Sequence, residues 1–135
     1  MGIPTRDVLI AEKAPRPIGP YSVGVRSQGF VFTAGQLGLD PATNQLVPGG
    51  IEAETRQALT NLSHVLASGG SSLALALKTT VFLQDMAEFK AMNAVYGEFF
   101  PADPPARTTV QAAGLPLGGR VEIEVIAMVG SGRGD

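Results

Sequence analysis

The chain has 135 residues, with 10 Lys and Arg against 12 Asp and Glu, a single His, no Cys and a formal net charge of −2. That balance leaves no electrostatic footprint for phosphate backbones or anionic lipid, so neither nucleic acid nor membrane is an expected partner. Without thiols there are no disulfides, thiolate nucleophiles or thiolate metal sites, and His64 alone argues against a His-based metal centre or a Ser-His-Asp triad.

Residues 1–129 are read as one domain, and Gly130 to Asp135 as a flexible tail. No segment has an apolar signal core or the length to cross a bilayer, so a cytoplasmic location is expected. Along the chain, Pro17-Ile18-Gly19-Pro20 forms a rigid approach that fixes the direction of Tyr21, which either meets a ligand or closes the edge of the core. A short strand is predicted near Ser22 to Arg26 and a longer one over Phe30 to Leu37. Gly35 interrupts the second, marking a bulge or a close approach of the backbone to another group. Over 51–68, Ile51, Thr55, Ala58, Leu59, Leu62, Val65 and Leu66 recur at helical spacing, with Glu54, Asn61 and His64 elsewhere on the wheel and Gly69-Gly70 as a left-handed stop.

Leu77 to Leu83 reads as a strand. Asp85-Met86-Ala87-Glu88 has the form of a capping box opening a second helix, with Phe89, Met92, Tyr96, Phe99 and Phe100 on its core side and Pro101 at its end. Asn93, polar beside that stripe, either bonds across the helix–sheet layer or reaches a ligand. Further strands are predicted over Thr108 to Ala113 and Val121 to Val129. Just before the first of them, Pro104-Pro105-Ala106-Arg107 is a stiffened bend that delivers a guanidinium to a strand start. Arg107, Thr109 and Gln111 then project to one side, and a planar fork held there suits a carboxylate, although an ion-paired surface Arg is the plainer reading.

The pattern of strands, helix, strand, helix, strands predicts an α+β domain in which two helices cover one face of a mixed sheet. In the last strand Val121, Ile123, Val125, Ala127 and Val129 should meet the helices, which leaves Glu122, Glu124, Ile126 and Met128, together with Thr80 and Phe82, on the opposite face. That face is too apolar for open water, so a homo-oligomer is expected, with polar residues lining a shared cleft. Glu122 there either manages a proton or forms an inter-subunit ion pair. No phosphate loop, dinucleotide fingerprint or metal-spaced ligand set is present, so no cofactor and no metal are expected.

Taken in order, Ile18-Gly19-Pro20-Tyr21, Thr33-Ala34-Gly35-Gln36-Leu37, Gly49-Gly50-Ile51-Glu52-Ala53-Glu54, Pro105-Ala106-Arg107-Thr108-Thr109-Val110 and Val121-Glu122-Ile123-Glu124-Val125 resemble the signature stretches of the RidA/YjgF family, from about Ala14 to Met128. The resemblance implies a chorismate-mutase-like fold with a six-stranded sheet, a homotrimer with clefts between subunits, and hydrolysis of reactive enamines and imines such as 2-aminoacrylate to 2-keto acids and ammonia. It implies Arg107 as the carboxylate anchor, Glu122 as the acid beside the attacking water, and Tyr21, Gly35 and Asn93 as cleft residues, with Thr109 beside the substrate. Thr109 stands where several members have Cys, and Ala34 where many have Ser, so a thiol is not needed if the chemistry survives. Competing expectations are a non-catalytic ligand-binding or protein-protecting trimer and, with less physical support, an RNA-cleaving translation inhibitor.

Overall fold

The structure, a computed structural model, describes residue 3 and residues 5–130. Its elements follow as β1 (Asp7–Val8), β2 (Gly24–Ser27), β3 (Phe30–Thr33), β4 (Gln36–Leu37), β5 (Leu39–Asp40), β6 (Gln45–Leu46), α1 (Gly50–Ser68), β7 (Ala76–Leu83), α2 (Phe89–Phe99), β8 (Ala106–Gln111) and β9 (Val121–Met128). The main sheet runs β1-β2-β3-β9-β7-β8; β4 also pairs with β9, and β5 and β6 form a small hairpin of their own. Only β7 and β8 pair in parallel, as they must when a helical crossover joins them; the other pairs are antiparallel. The mixed α+β architecture is the expected one, and the predicted tail beyond Gly130 lies outside the described residues.

The main sheet holds seven strands where six were expected, because the run Phe30 to Leu37 is broken in two. β3 sets Phe32 opposite Ile126, whereas β4 sets Gln36 opposite Ile123, a slip of one residue across Ala34-Gly35. Such a slip is the signature of a bulge, which Gly35 announced. Thr33 fills the break by accepting a hydrogen bond on Oγ1 from the Val125 backbone N–H at 2.9 Å.

Both helices lie on one face. Ala58, Leu59, Leu62 and Leu66 of α1 pack with Met92 and Tyr96 of α2 onto Val81, Leu83, Val121, Ile123, Val125 and Ala127, all buried, while Val65 packs with Ala14 and Val23. Helical period against strand alternation is what selects this set. Val129, predicted to join it, lies past the end of β9 and is exposed. Two polar residues placed off the core stripe are in fact buried. Asn61 donates from Nδ2 to the carbonyls of Leu37 and Leu39, and Glu54 accepts the Arg120 backbone N–H on Oε1 at 2.8 Å. Each satisfies loop backbone that the sheet leaves unpaired. Of the predicted glycine stop, only Gly70 takes a positive φ.

The opening of the second helix also differs from the prediction. Asp85 accepts the Ala87 N–H on Oδ1 at 2.9 Å and starts a single 3₁₀ turn, after which α2 begins at Phe89. Glu88 does not return to the Asp85 amide, since its carboxylate is taken by the Arg120 guanidinium at 2.8 Å. The opposite face of the sheet has no cover among the described residues: Phe30, Phe32, Ile126 and Met128 are each more than a third exposed along it, with Thr80 and Phe82 half-buried between.

Candidate active site

Register decides where each candidate side chain points. In the parallel pair, Thr79, Val81 and Leu83 stand beside Arg107, Thr109 and Gln111, and all three β7 residues are buried under the helices. Arg107 and Thr109 therefore lie on the helix side of the sheet. Glu122 pairs instead with Phe82 and so lies on the open side. Within one chain Arg107 and Glu122 occupy opposite faces, and the sequence-predicted site divides into two halves.

The first half forms where β8 leaves the Pro104-Pro105 bend and α2 passes over it. β8 starts at Ala106, two residues earlier than predicted, because the parallel ladder with β7 already engages there. Arg107 and Asn93 share a cleft of about 380 Å³ with Tyr96, Gly97 and Pro105. The guanidinium carbon stands 4.7 Å from the centroid of the Tyr96 ring and 5.6 Å from that of Phe89. Phe89, predicted as core, is exposed and serves as one wall for the cation. The Tyr96 hydroxyl lies 2.7 Å from Thr79 Oγ1. Burial raises the Tyr96 pKa above its ordinary value, opposed by Thr79 and Arg107, so the phenol stays neutral. Asn93 Oδ1 and Thr109 Oγ1 are buried without a hydrogen-bond partner among the described residues, which is uncommon for buried polar side chains; Asn93 lines the cleft with Arg107, and Thr109 does not. Gln111, predicted to converge with Arg107, is occupied elsewhere: its Oε1 accepts the Met86 N–H at 2.6 Å and helps hold the 3₁₀ turn.

The second half is a cleft of about 260 Å³ around Glu122, walled by Tyr21, Ala34, Gly35, Pro116 and Arg16. The bulge brings the Gly35 backbone so close that a Cβ there would stand 2.7 Å from Glu122 Oε2 and 2.9 Å from its Cγ. Gly35 is thus the close approach that its place in a strand suggested, and its partner is the candidate acid. Tyr21 is fixed by its own turn, accepting the Ile18 N–H on its hydroxyl at 3.2 Å. Glu122 has no cation within ion-pair distance among the described residues. Burial pushes its pKa above the ordinary carboxylate value and the neighbouring Glu124 adds to the rise.

Several wall residues escaped the sequence reading. Arg16 and Pro116 line the Glu122 cleft, but each sits in a loop whose course no periodicity reports. Tyr96 and Phe89 had a signal, the apolar stripe of α2, that reads identically for core packing and for a cation wall. His64 lies on α1 beside Ile10 and Lys13, in neither half. Among the described residues no three His, Asp or Glu side chains cluster as a metal site would require, and no helix is long and apolar enough to cross a membrane.

An α+β layer with a guanidinium cleft on one face and a carboxylate cleft on the other is the architecture of a protein that handles a small polar molecule. Residues 11–129 match the family described as Endoribonuclease L-PSP, the RidA/YjgF family, and the chain belongs to it. The chain is 47% identical over 125 residues to the 2-iminobutanoate/2-iminopropanoate deaminase of Capra hircus, covering 93% of this chain and 91% of that one. Among solved structures it is similar to RidA from the Antarctic bacterium Psychrobacter sp. PAMC 21119, with a TM-score of 0.88 at 36% identity over 91% of this chain and 99% of that one. It is also similar to E. coli TdcF with bound serine, with a TM-score of 0.86 at 36% identity over 90% of this chain and 98% of that one.

Proposed function

We propose that this protein is an imine/enamine deaminase that hydrolyses 2-imino acids such as 2-iminopropanoate and 2-iminobutanoate to 2-keto acids and ammonia, and that it works as a homotrimer. The observation that carries the trimer is the placement of Arg107 and Glu122 on opposite faces of one sheet, with the Glu122 face apolar and uncovered. A second copy seated on that face covers Phe32, Ile126 and Met128 and brings its Arg107 cleft to the Glu122 cleft of the first. The activity itself is supported by the relatives named as deaminases and by the fit of the two halves to the reaction.

In that joined cleft Arg107 binds the substrate carboxylate with two charge-assisted hydrogen bonds. Asn93 Oδ1, an acceptor without a partner, takes the imine N–H. A water held by Glu122 and Thr109 adds to the imine carbon while one of its protons passes to the nitrogen, giving a carbinolamine; the hydroxyl proton then passes to the amino group, and the C–N bond breaks to release ammonia and leave the keto group. The imine is inherently labile, so positioning and modest proton handling suffice, worth on the order of 10²–10⁴-fold from the acid–base group. Thr109 in place of a thiol fits a role in hydrogen bonding rather than nucleophilic attack. We take residues 1–129 as the working domain and the cytoplasm as its compartment, consistent with a chain that has no cysteine.

The test is ammonia and pyruvate release from freshly generated 2-aminoacrylate, with wild type, Arg107→Ala and an enzyme-free blank. Acceleration over the blank that disappears in Arg107→Ala is the expected result. A trimeric wild type that accelerates neither this substrate nor related imino acids would replace the proposal with a ligand-binding role.

A further inference from the structure

We propose that Tyr96 is the positioning residue for Arg107, holding the guanidinium by its ring face while Thr79 fixes the ring, so that the donor edge of the fork stays turned toward the ligand. The inference rests on the carboxylate-binding role assigned to Arg107 above. Phe89 and Tyr96 are seven residues apart on α2, two helical turns and about 10.5 Å of rise, with Asn93 between them on the same stripe. The guanidinium carbon, 4.7 Å from one ring and 5.6 Å from the other, sits in the gap between the two. An arginine side chain has four rotatable bonds and would otherwise sweep a wide arc from a strand near the sheet edge. Stacking on aromatic faces restrains it through the plane of the guanidinium and leaves the in-plane N–H groups free for the bidentate grip.

The anchor of this arrangement is buried. Tyr96 is 6% exposed, Thr79 is fully buried, and their hydroxyls lie 2.7 Å apart. Thr79 is also the residue beside Arg107 in the parallel ladder, so the sheet that carries the arginine carries the group that orients its wall. Phe89, by contrast, is exposed and has no polar handle, so it can restrain the cation without setting its direction.

The experiment is a double-mutant cycle. Tyr96→Leu and Tyr96→Phe are made in the wild-type and Arg107→Ala backgrounds, with assembly state and melting temperature recorded, and two readouts are taken: the dissociation constant for pyruvate by calorimetry and the kinetics with 2-aminoacrylate. Tyr96→Leu is expected to weaken pyruvate binding roughly 5- to 30-fold and to raise KM more than it lowers kcat. Tyr96→Phe keeps the ring and should recover affinity to within about 3-fold. In the Arg107→Ala background Tyr96→Leu should add less than about 2-fold, because the group it positions is gone. Equal losses in both backgrounds, or full pyruvate affinity in a folded Tyr96→Leu, overturn the proposal. If Tyr96→Leu does not fold, Tyr96→Phe and Thr79→Val, which both remove the Thr79 bond and leave the ring in place, should each weaken pyruvate binding about 2- to 3-fold, and full affinity in both overturns the proposal equally. A wild type that binds pyruvate but does not deaminate defeats the deaminase reading alone, since the binding cycle still decides the role of Tyr96.

Discussion

Gly35→Ala tests the link between the bulge and the acid most sharply. The added methyl would stand 2.7 Å from Glu122 Oε2, 2.8 Å from Cδ and 2.9 Å from Cγ, its three nearest neighbours. Ordinary carbon contacts lie at about 3.5–4.0 Å, so the carboxylate must retreat by about 1 Å. Gly35 has no left-handed φ, so the backbone accepts alanine without strain, and a half-buried side chain beside an open cleft has room to swing away. Stability should change by less than about 1 kcal/mol, whereas a displacement of that size at a reacting group costs up to about 10²-fold in rate. Steady-state kinetics with 2-aminoacrylate should show the loss in kcat, with the pyruvate dissociation constant little changed because Arg107 is untouched. The decisive comparison is Glu122→Ala with and without Gly35→Ala: once the carboxylate is removed the methyl has nothing to displace, and the double variant should match the single one. A full-strength Gly35→Ala, or a further tenfold fall in the double variant, would refute the coupling of the bulge to Glu122.

Gly38→Ala should behave in the opposite way, because its Cβ would meet the Cα and carbonyl oxygen of Glu54 at 2.6 Å, helix backbone that cannot step aside; calorimetry should show about 1–3 kcal/mol of lost stability. Arg107→Lys keeps the charge but loses the fork and the stacking plane, so KM should rise well over tenfold, and unchanged KM would contradict the anchor. Burial and Glu124 both raise the Glu122 pKa above the ordinary carboxylate value. The acid limb of the pH–rate profile should therefore sit at higher pH than a free carboxylate gives and move down in Glu124→Gln. The same shift makes Glu122 favour folding below its unfolded pKa and lose that contribution as pH rises through the folded one, so Glu122→Gln should gain relative stability toward neutral pH, read from melting temperature against pH. Mixing Arg107→Ala chains with Glu122→Ala chains and allowing exchange should restore about one quarter of wild-type activity, since random trimers then contain one intact cleft in most assemblies; mixtures as inactive as either parent would argue against a cleft shared between copies.

Much of this was legible before the structure because periodicity alone carries it. The seven core-side positions of α1, six apolar and Thr55, and the alternation of β9 each identify an element and the face it buries, and those seven together with Val121, Ile123, Val125 and Ala127 are buried as that pattern requires. What periodicity cannot carry is pairing at long sequence separation. Asn61 reads as a solvent-facing amide until its partners, the carbonyls of Leu37 and Leu39, are folded over α1. The two-residue strands β1, β4, β5 and β6 are too short for any alternation to register. Glu88 looks like the second half of a capping box, but Arg120 approaches it from a distant loop and wins the carboxylate. Phe89 and Tyr96 belong to one apolar stripe, and only the arrival of Arg107 from β8 separates a core residue from a cation wall.

The division of the site follows from the same register that makes the sheet. A strand residue reaches one face only, so β8 can offer Arg107 and Thr109 to the helix side or to the open side, and the parallel crossover through α2 selects the helix side. Glu122 is committed to the open side by Ile123 and Val121, whose burial in the core fixes the phase of β9. Glu122 cannot be turned without turning out Val121 and Ile123, and Arg107 is held to its face by its register beside buried Thr79. The core beneath the helices is complete without the open face, so the burial that fixes each half in place does not depend on what covers that face.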